Sequence, residues 1–221
     1  MALRDAQSEG ILRERIRGMR EGVRNVPLPL IIEELSGHRV VAWTGEERMA
    51  LEALAGAVLK SINAEGIEAL RINEAGNAVE NRVLVAARER GFTARRPVAA
   101  SGRTRVAGYP DLEAVRDEHA FYIEAKVYSP ATEDSAQRSF YLSPSADCKV
   151  TRDAHHLLIA VELALESSGR YRASRVRWLD LGRLRCDLKY EFNASNADLY
   201  APGGGLVILV TATHRLPPDP F

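Results

Sequence analysis

The sequence predicts an α/β protein in which helices flank a central mixed β-sheet, with a helical extension at the N-terminus. Apolar residues recur at helical spacing up to Gly91, and from there they alternate at the spacing of two that is typical of strands. A further helical pattern and more strand-like runs follow. The chain has 221 residues, 46% of them hydrophobic, which is enough for a buried core. We therefore expect one domain over residues 1–221, with a helical region at 1–66, a core at 73–181 and an extension at 182–221.

Three helices are predicted before Gly91. The first covers about residues 3–24, and the third covers about residues 74–90. The second begins at a capping box, Thr44–Glu47, where the side chains would satisfy free N–H groups of the first turn. It ends at Gly66, because glycine tolerates the left-handed backbone that follows many helices.

The order of elements after the third helix is predicted to be three strands, a helix and a strand. The three strands are expected at residues 93–100, 105–115 and 120–128. A helix with Val150, Leu157, Val161 and Leu165 on one face should follow, and then a strand at 175–181. A last apolar run at 205–212 reads as a buried strand.

Composition excludes several classes of protein. Thirty basic and thirty acidic residues give no net charge, although seven arginines and one acid lie between Arg82 and Arg105. That run is either a nucleic-acid contact or a solvated face whose counter-charges come from other segments. Two cysteines are too few for a disulfide scaffold or a thiolate zinc site. No apolar run is long enough for a membrane span and no secretory signal is present, so we expect a cytoplasmic location.

The stretch GYPDLEAVRDEHAFYIEAKV, residues 108–127, carries the strongest candidate site. On the third strand Glu124 and Lys126 share a face, and a hairpin with the preceding strand would bring Asp111 to them. Two neighbouring carboxylates repel unless a cation lies between them, and such oxygen ligands suit Mg²⁺. A lysine beside them can activate water or neutralise charge on a phosphate. The alternative is a charged outer face of an edge strand.

These residues resemble the motif of the PD-(D/E)xK nuclease superfamily, which includes many type II restriction endonucleases. Pro110-Asp111 corresponds to the PD, and Glu124-Ala125-Lys126 corresponds to the (D/E)xK. The resemblance implies a restriction-endonuclease-like core of helix, three strands, helix and strand. It also implies Mg²⁺ held by Asp111, Glu124 and the carbonyl of Ala125, with Lys126 as a catalytic group. In that family an acid on the preceding helix supports the site, and Glu80 is the first candidate here, with Glu74 as the second.

Three segments could contact DNA. A long polar segment offers Gln137, Arg138 and Ser139, unless it is merely a mobile loop. Lys149 and Arg152, at the start of the predicted helix, could bind a phosphate or simply cap and solvate that helix. Asn193 and Asn196 could pair with base edges, although turn formation is the more common use of such residues.

The resemblance implies a type II restriction endonuclease acting on double-stranded DNA. A two-fold site is cut most simply by a homodimer, with the N-terminal helices as the expected interface, and a DNA methyltransferase should be encoded nearby. A structure-specific repair or recombination nuclease and a non-catalytic DNA-binding module remain alternatives. Zinc at His155 and His156 is disfavoured, because adjacent residues do not converge on one ion.

Overall fold

The computed structural model describes residues 2–19, 22–104, 108–133, 140–144 and 147–188, with side chains from residue 10 onwards. The helices are α1 (Ala2–Gly18), α2 (Leu28–Ser36), α3 (Arg48–Glu65) and α4 (Gly76–Glu89). The strands are β1 (Val23–Pro27), β2 (Thr93–Arg95), β3 (Leu112–Arg116), β4 (His119–Tyr128), β5 (His155–Leu165), β6 (Tyr171–Asp180) and β7 (Arg185–Leu188). Short 3-10 turns lie at Ile72–Ala75, Pro130–Thr132 and Leu181–Arg183.

Five strands form the central sheet in the order β2-β3-β4-β5-β6. The pair β4 and β5 is parallel, and the other three pairs are antiparallel. The predicted mixed sheet with flanking helices is therefore confirmed. β1 and β7 form a separate two-stranded sheet.

Each face of the sheet has its own apolar core. Phe121 and Ile123 of β4 lie in the larger core, together with the buried stripes of α3 and α4. Tyr122, the residue between them, lies in a smaller core with Leu28 and Ile32 of α2. Successive side chains of β4 thus alternate between two covered faces, as the spacing of two predicts. The second face is the one that carries Glu124 and Lys126.

The second and third helices form where the sequence predicts them, but their starts differ. α3 begins at Arg48, later than predicted, and no side chain caps its first turn. The predicted capping box is therefore wrong. The Glu47 carboxylate instead lies within 3.8 Å of the His119 ring. The end of α3 is as predicted, because Gly66 has φ +71 and a Cβ there would lie 3.0 Å from the Cβ of Arg170.

The predicted helix over residues 150–165 is wrong. This segment forms β5, which pairs in parallel with β4 and antiparallel with β6. A strand in the middle of a sheet that is covered on both faces is apolar at nearly every position, and in a short run this cannot be distinguished from helical spacing. In the described part of residues 129–154 only the turn at Pro130–Thr132 is helical. The predicted order of helix, three strands, helix and strand is corrected accordingly.

Three elements have no counterpart in the sequence prediction. α2 follows Pro27 and has a second proline, Pro29, in its first turn, where a missing N–H costs nothing. The two prolines are the reason that the sequence prediction missed this helix, which buries Leu28 and Ile32. β1 begins at the end of the range predicted for the first helix, because α1 stops at Gly18, and β7 is only four residues long. The strand predicted at 205–212 lies outside the described residues.

The chain divides into two compact units. Residues 24–187 form one, which contains the five-stranded sheet and helices α2–α4. Residues 1–23 and 188–221 form the other, of which the structure describes mainly α1. A single domain over the whole chain stays a prediction. No helix among the described residues is long and apolar enough to cross a membrane.

Candidate active site

The β3–β4 hairpin brings Asp111 next to Glu124. Leu112 pairs with Ile123 in the antiparallel register, and continuing this register by one residue sets Asp111 opposite Glu124. The backbone N–H of Ala125 donates a hydrogen bond to Asp111 Oδ2 at 2.9 Å. The Asp111 side chain therefore accepts a hydrogen bond from the backbone of β4 at the point where β3 begins. This hydrogen bond fixes the Asp111 carboxylate beside Glu124.

Glu124 is a buried acid with one occupied and one free oxygen. The residue is 4% exposed, and its Oε1 lies 2.7 Å from Lys126 Nζ. Its Oε2 is buried and has no hydrogen-bond partner among the described residues. Burial, followed by the charge of Asp111, raises the pKa of Glu124 to about 7, against the opposing effect of Lys126. The carboxyl is thus close to half-ionised at neutral pH.

Glu80 approaches the same cluster from α4. Arg96 Nη1 donates to Glu80 Oε2 at 3.1 Å, and the Glu80 side chain is 16% exposed. Burial and the charge of Asp111 raise the pKa of Glu80, while Arg96 and Lys126 lower it. The second candidate, Glu74, accepts a hydrogen bond from the N–H of Leu70 within its own turn at 3.2 Å. The structure therefore brings Glu80, Asp111, Glu124 and Lys126 into one electrostatically coupled group.

This group fits a hard divalent cation. Two carboxylates meet in a mostly buried position, and Glu124 Oε2, which has no partner among the residues that the structure describes, costs free energy that a cation would recover. The described residues contain no group of three or more His, Cys, Asp or Glu side chains that could hold a metal. Mg²⁺ commonly takes only one or two protein carboxylates and keeps several waters, so the pair of acids is sufficient.

Comparison with known proteins agrees with the resemblance carried by these residues. The family model of the type II restriction enzyme MjaV family matches residues 22–203 of the chain. The chain belongs to the type II restriction enzyme MjaV family. It is 37% identical over 146 residues to the type II restriction enzyme MjaV of Methanocaldococcus jannaschii. That alignment covers 62% of this chain and 62% of the relative.

Membership of the MjaV family confirms the expected kinship with type II restriction enzymes. The matched range contains all four members of the coupled group, as well as the β3–β4 hairpin that positions them. The family description says nothing of individual residues, so their roles stay predictions.

Two of the predicted DNA-contacting residues have other surroundings than expected. Because residues 150–165 contain a strand, Lys149 and Arg152 do not begin a helix, and the predicted phosphate site at a helix N-terminus is wrong. Lys149 is 4% exposed. Its ammonium donates to the carbonyls of Gly108 and Pro110 at 2.5 and 3.0 Å, and so anchors the segment before Asp111.

Arg152 is half exposed and lies 3.2 Å from the buried carboxylate of Glu113. The same carboxylate binds Arg95 at 2.8 Å, so Glu113 bridges two arginines. A contact of Arg152 with a phosphate stays a prediction. Gln137, Arg138, Ser139, Asn193 and Asn196 lie outside the described residues.

The arginine-rich run is largely neutralised by acids from other segments. Arg82 pairs with Glu65, Arg95 with Glu113, and Arg96 with Glu80. Arg88 donates to the carbonyl of Ala94 at 2.9 Å. Most of the run therefore serves the packing of α4 and β2. Arg96 is the member that reaches the candidate site, and the sequence signal for it is only its place in this run.

His155 and His156 point to opposite sides of β5, since they are consecutive strand residues. His155 Nδ1 contacts the carbonyl of Val41 at 3.2 Å, and His156 Nδ1 lies 2.6 Å from the hydroxyl of Tyr109. Burial lowers the pKa of His156 to about 3, so this ring is neutral. The sequence reasoning missed the Tyr109–His156 pair, which supports the segment leading into Asp111.

Proposed function

We propose that the protein is a Mg²⁺-dependent endonuclease that cleaves double-stranded DNA at a specific sequence. The observation that supports this most directly is the meeting of Asp111 and Glu124 with the ammonium of Lys126, which is 2.7 Å from Glu124. Metal-binding carboxylates with an adjacent ammonium group are one set of groups that can catalyse phosphodiester hydrolysis. Membership of a type II restriction enzyme family supports the sequence specificity.

Asp111, Glu124 and the carbonyl of Ala125 would hold the ion. Bound there, Mg²⁺ would polarise the scissile phosphate and stabilise the negative charge that develops on it. Lys126 is 30% exposed and held by Glu124, so its ammonium is oriented and still accessible. It can hydrogen-bond to a phosphate oxygen or position the attacking water. Glu80, fixed by Arg96, would brace the carboxylate pair from the helix side.

The MjaV-family chain is proposed to act as a homodimer, because a two-fold protein presents identical sites to the two strands of a symmetric sequence. Sedimentation in the presence and absence of DNA measures this directly. The proposal also expects a methyltransferase with the same sequence specificity to be encoded nearby.

Digestion of plasmid DNA of mixed sequence tests the function. With Mg²⁺ the protein should yield discrete fragments, and Lys126→Ala should bind the same DNA without cutting it. Lys60→Ala is the matched control, since Lys60 is an exposed lysine on α3, and this helix packs on the opposite face of the sheet. Random degradation would indicate a nuclease without sequence specificity. Binding without cleavage by the wild type would indicate a non-catalytic module.

A further inference from the structure

A network of charged side chains lies beside Lys126 on the same face of the sheet. Lys126 pairs with Ala160 across β4 and β5, and Ala160 pairs with Arg177 across β5 and β6. In the next row Tyr128 pairs with Glu162, and Glu162 with Arg175. Residues in register share a face, so both arginines point to the side that carries Lys126. Arg177 is two strands, or roughly 10 Å, from Lys126.

The residues between these positions confirm that assignment. Val176 and Trp178 of β6 pack into the core under α3 on the other face. Arg175 and Arg177 are therefore on the open part of the second face, with side chains 46% and 38% exposed. Ala160, which separates Lys126 from Arg177, is too small to block the space above it.

Side chains of β4 and β5 contact the guanidinium groups of Arg175 and Arg177 and orient them. Arg177 donates to the hydroxyl of Tyr128 at 2.7 Å and stacks over its ring at 5.1 Å. Arg175 is paired with Glu162, which is only 7% exposed. Ser174 also donates to Glu162. These contacts fix the positions of both guanidinium groups but leave some of their N–H donors available. Because the side chains are already ordered, less conformational entropy is lost when an anion binds.

One carboxylate occupies the space between the two arginines. Glu133 Oε1 lies 2.7 Å from Arg177 Nη1, and Glu133 Oε2 lies 2.8 Å from Arg175 Nη2. Each oxygen of the acid is thus bound by a different guanidinium. A backbone phosphate also has two free oxygens that each accept hydrogen bonds, and arginine binds carboxylates and phosphates with similar geometry.

We propose that Arg175 and Arg177 form a binding site for a backbone phosphate of DNA close to the scissile phosphate, and that Glu133 occupies this site until DNA displaces it. The proposal rests on the proposed function, since it places a second phosphate near Lys126. Each DNA strand carries one phosphate per about 3.4 Å of helix axis, so a phosphate near Lys126 brings others within about 10 Å. The Glu133 side chain is 32% exposed and pairs with two half-exposed cations, so its displacement costs little.

The test is equilibrium binding of a labelled mixed-sequence duplex to the intact protein in EDTA, at several salt concentrations. Arg175→Gln/Arg177→Gln should weaken binding about tenfold and reduce the slope of log K against log salt by about 1, because one phosphate contact is lost. Glu133→Gln should tighten binding about three- to tenfold, because no charge must be displaced.

Matched controls are Arg48→Gln and Glu52→Gln. These two residues form an exposed ion pair at 2.7 Å on α3, on the opposite side of the sheet, and neither change should alter DNA binding. Should the double arginine variant fail to fold, Glu133→Gln still decides, because it removes only an exposed carboxylate. Unchanged affinity in that variant, or an unchanged salt slope in a folded arginine variant, overturns the proposal.

Failure of this proposal is distinguishable from failure of the proposed function. If the wild type cuts plasmid DNA with Mg²⁺ while the arginine and Glu133 variants bind like the controls, the phosphate site is refuted and the nuclease remains. If the wild type neither binds nor cuts DNA, the nuclease itself is refuted.

Discussion

Replacing Glu124 by glutamine should remove the part of the pH dependence of the free energy of unfolding that arises from the Glu124 carboxyl. The pKa of Glu124 rises from 4.5 to about 7 on folding. Each pH unit between those values corresponds to about 1.36 kcal/mol, so ionising the buried carboxyl costs about 3 kcal/mol of stability. Between pH 4.5 and 7 the folded protein keeps a proton that the unfolded chain has already released. The free energy of unfolding of the wild type should therefore fall as the pH rises through this range.

Glu124→Gln lacks this loss because an amide does not ionise. Relative to the wild type, the variant should gain about 3 kcal/mol between pH 4.5 and 8, which corresponds to roughly 6–12 °C in Tm for a protein of this size. The measurement is thermal or urea unfolding in EDTA at pH steps from 4 to 8.5. Glu52→Gln, at an exposed glutamate, should show no such trend.

A difference between Glu124→Gln and the wild type that stays constant from pH 4.5 to 8 would refute the reasoning. It would mean that Glu124 is solvated, or that Asp111 is not beside it. The candidate metal site would then lose its physical basis, because the unfavourable meeting of two carboxylates is what a cation would relieve.

Three further predictions concern the same region. Mg²⁺ at pH 8 should raise the Tm of the wild type by an amount that grows with the logarithm of the Mg²⁺ concentration and corresponds to about 2.7 kcal/mol at a hundred times its Kd, and it should leave the Tm of Glu124→Gln unchanged; calorimetric titration checks the Kd. Arg96→Gln should raise the pKa of Glu80 further and move the acidic limb of the cleavage pH profile to higher pH, whereas a fixed limb would remove Glu80 from the site. Lys149→Met should cost about 2–3 kcal/mol in urea unfolding through two lost charge-assisted hydrogen bonds, and Lys60→Met should cost nothing measurable.

The part of the side-chain arrangement that the sequence could predict is local. Asp111 lies directly before β3, and Glu124 and Lys126 lie on β4. A tight turn at Asp117 and Glu118 joins the two strands, so the hairpin register alone brings the three residues together. Alternation along β4 then decides which side chains share a face. Predicting the position of Glu80 needed one more assumption, namely that the helix before the hairpin packs against the hairpin. α4 and β4 share one apolar core, which agrees with that assumption.

What the sequence could not show depends on long-range pairing. β5 reads as a helix because both of its faces are buried, and this depends on α2 and α3, which end ninety or more residues before β5 begins. The neighbours of Lys126 on β5 and β6 depend on the register of a parallel pair and an antiparallel pair, and no short turn fixes the first of these. Arg175 and Arg177 therefore had no signal in the sequence that linked them to Lys126.

The two proposed ligand positions share one physical feature. At the first, the carboxylates of Asp111 and Glu124 meet although their charges repel, and an oxygen of Glu124 is buried without a hydrogen-bond partner in the described part of the chain. At the second, a single exposed glutamate lies between two arginines that buried or aromatic partners already orient. Neither arrangement is the one that maximises the stability of the fold. At the first position, a neutral pair or an apolar contact would give a more stable fold than two carboxylates. At the second, leaving the glutamate in solvent would cost little stability. The first position suits a divalent cation, and at the second a carboxylate occupies the place proposed for a phosphate. A complex of Mg²⁺ with a DNA backbone supplies both charges at once, at positions roughly 10 Å apart on one face of the sheet.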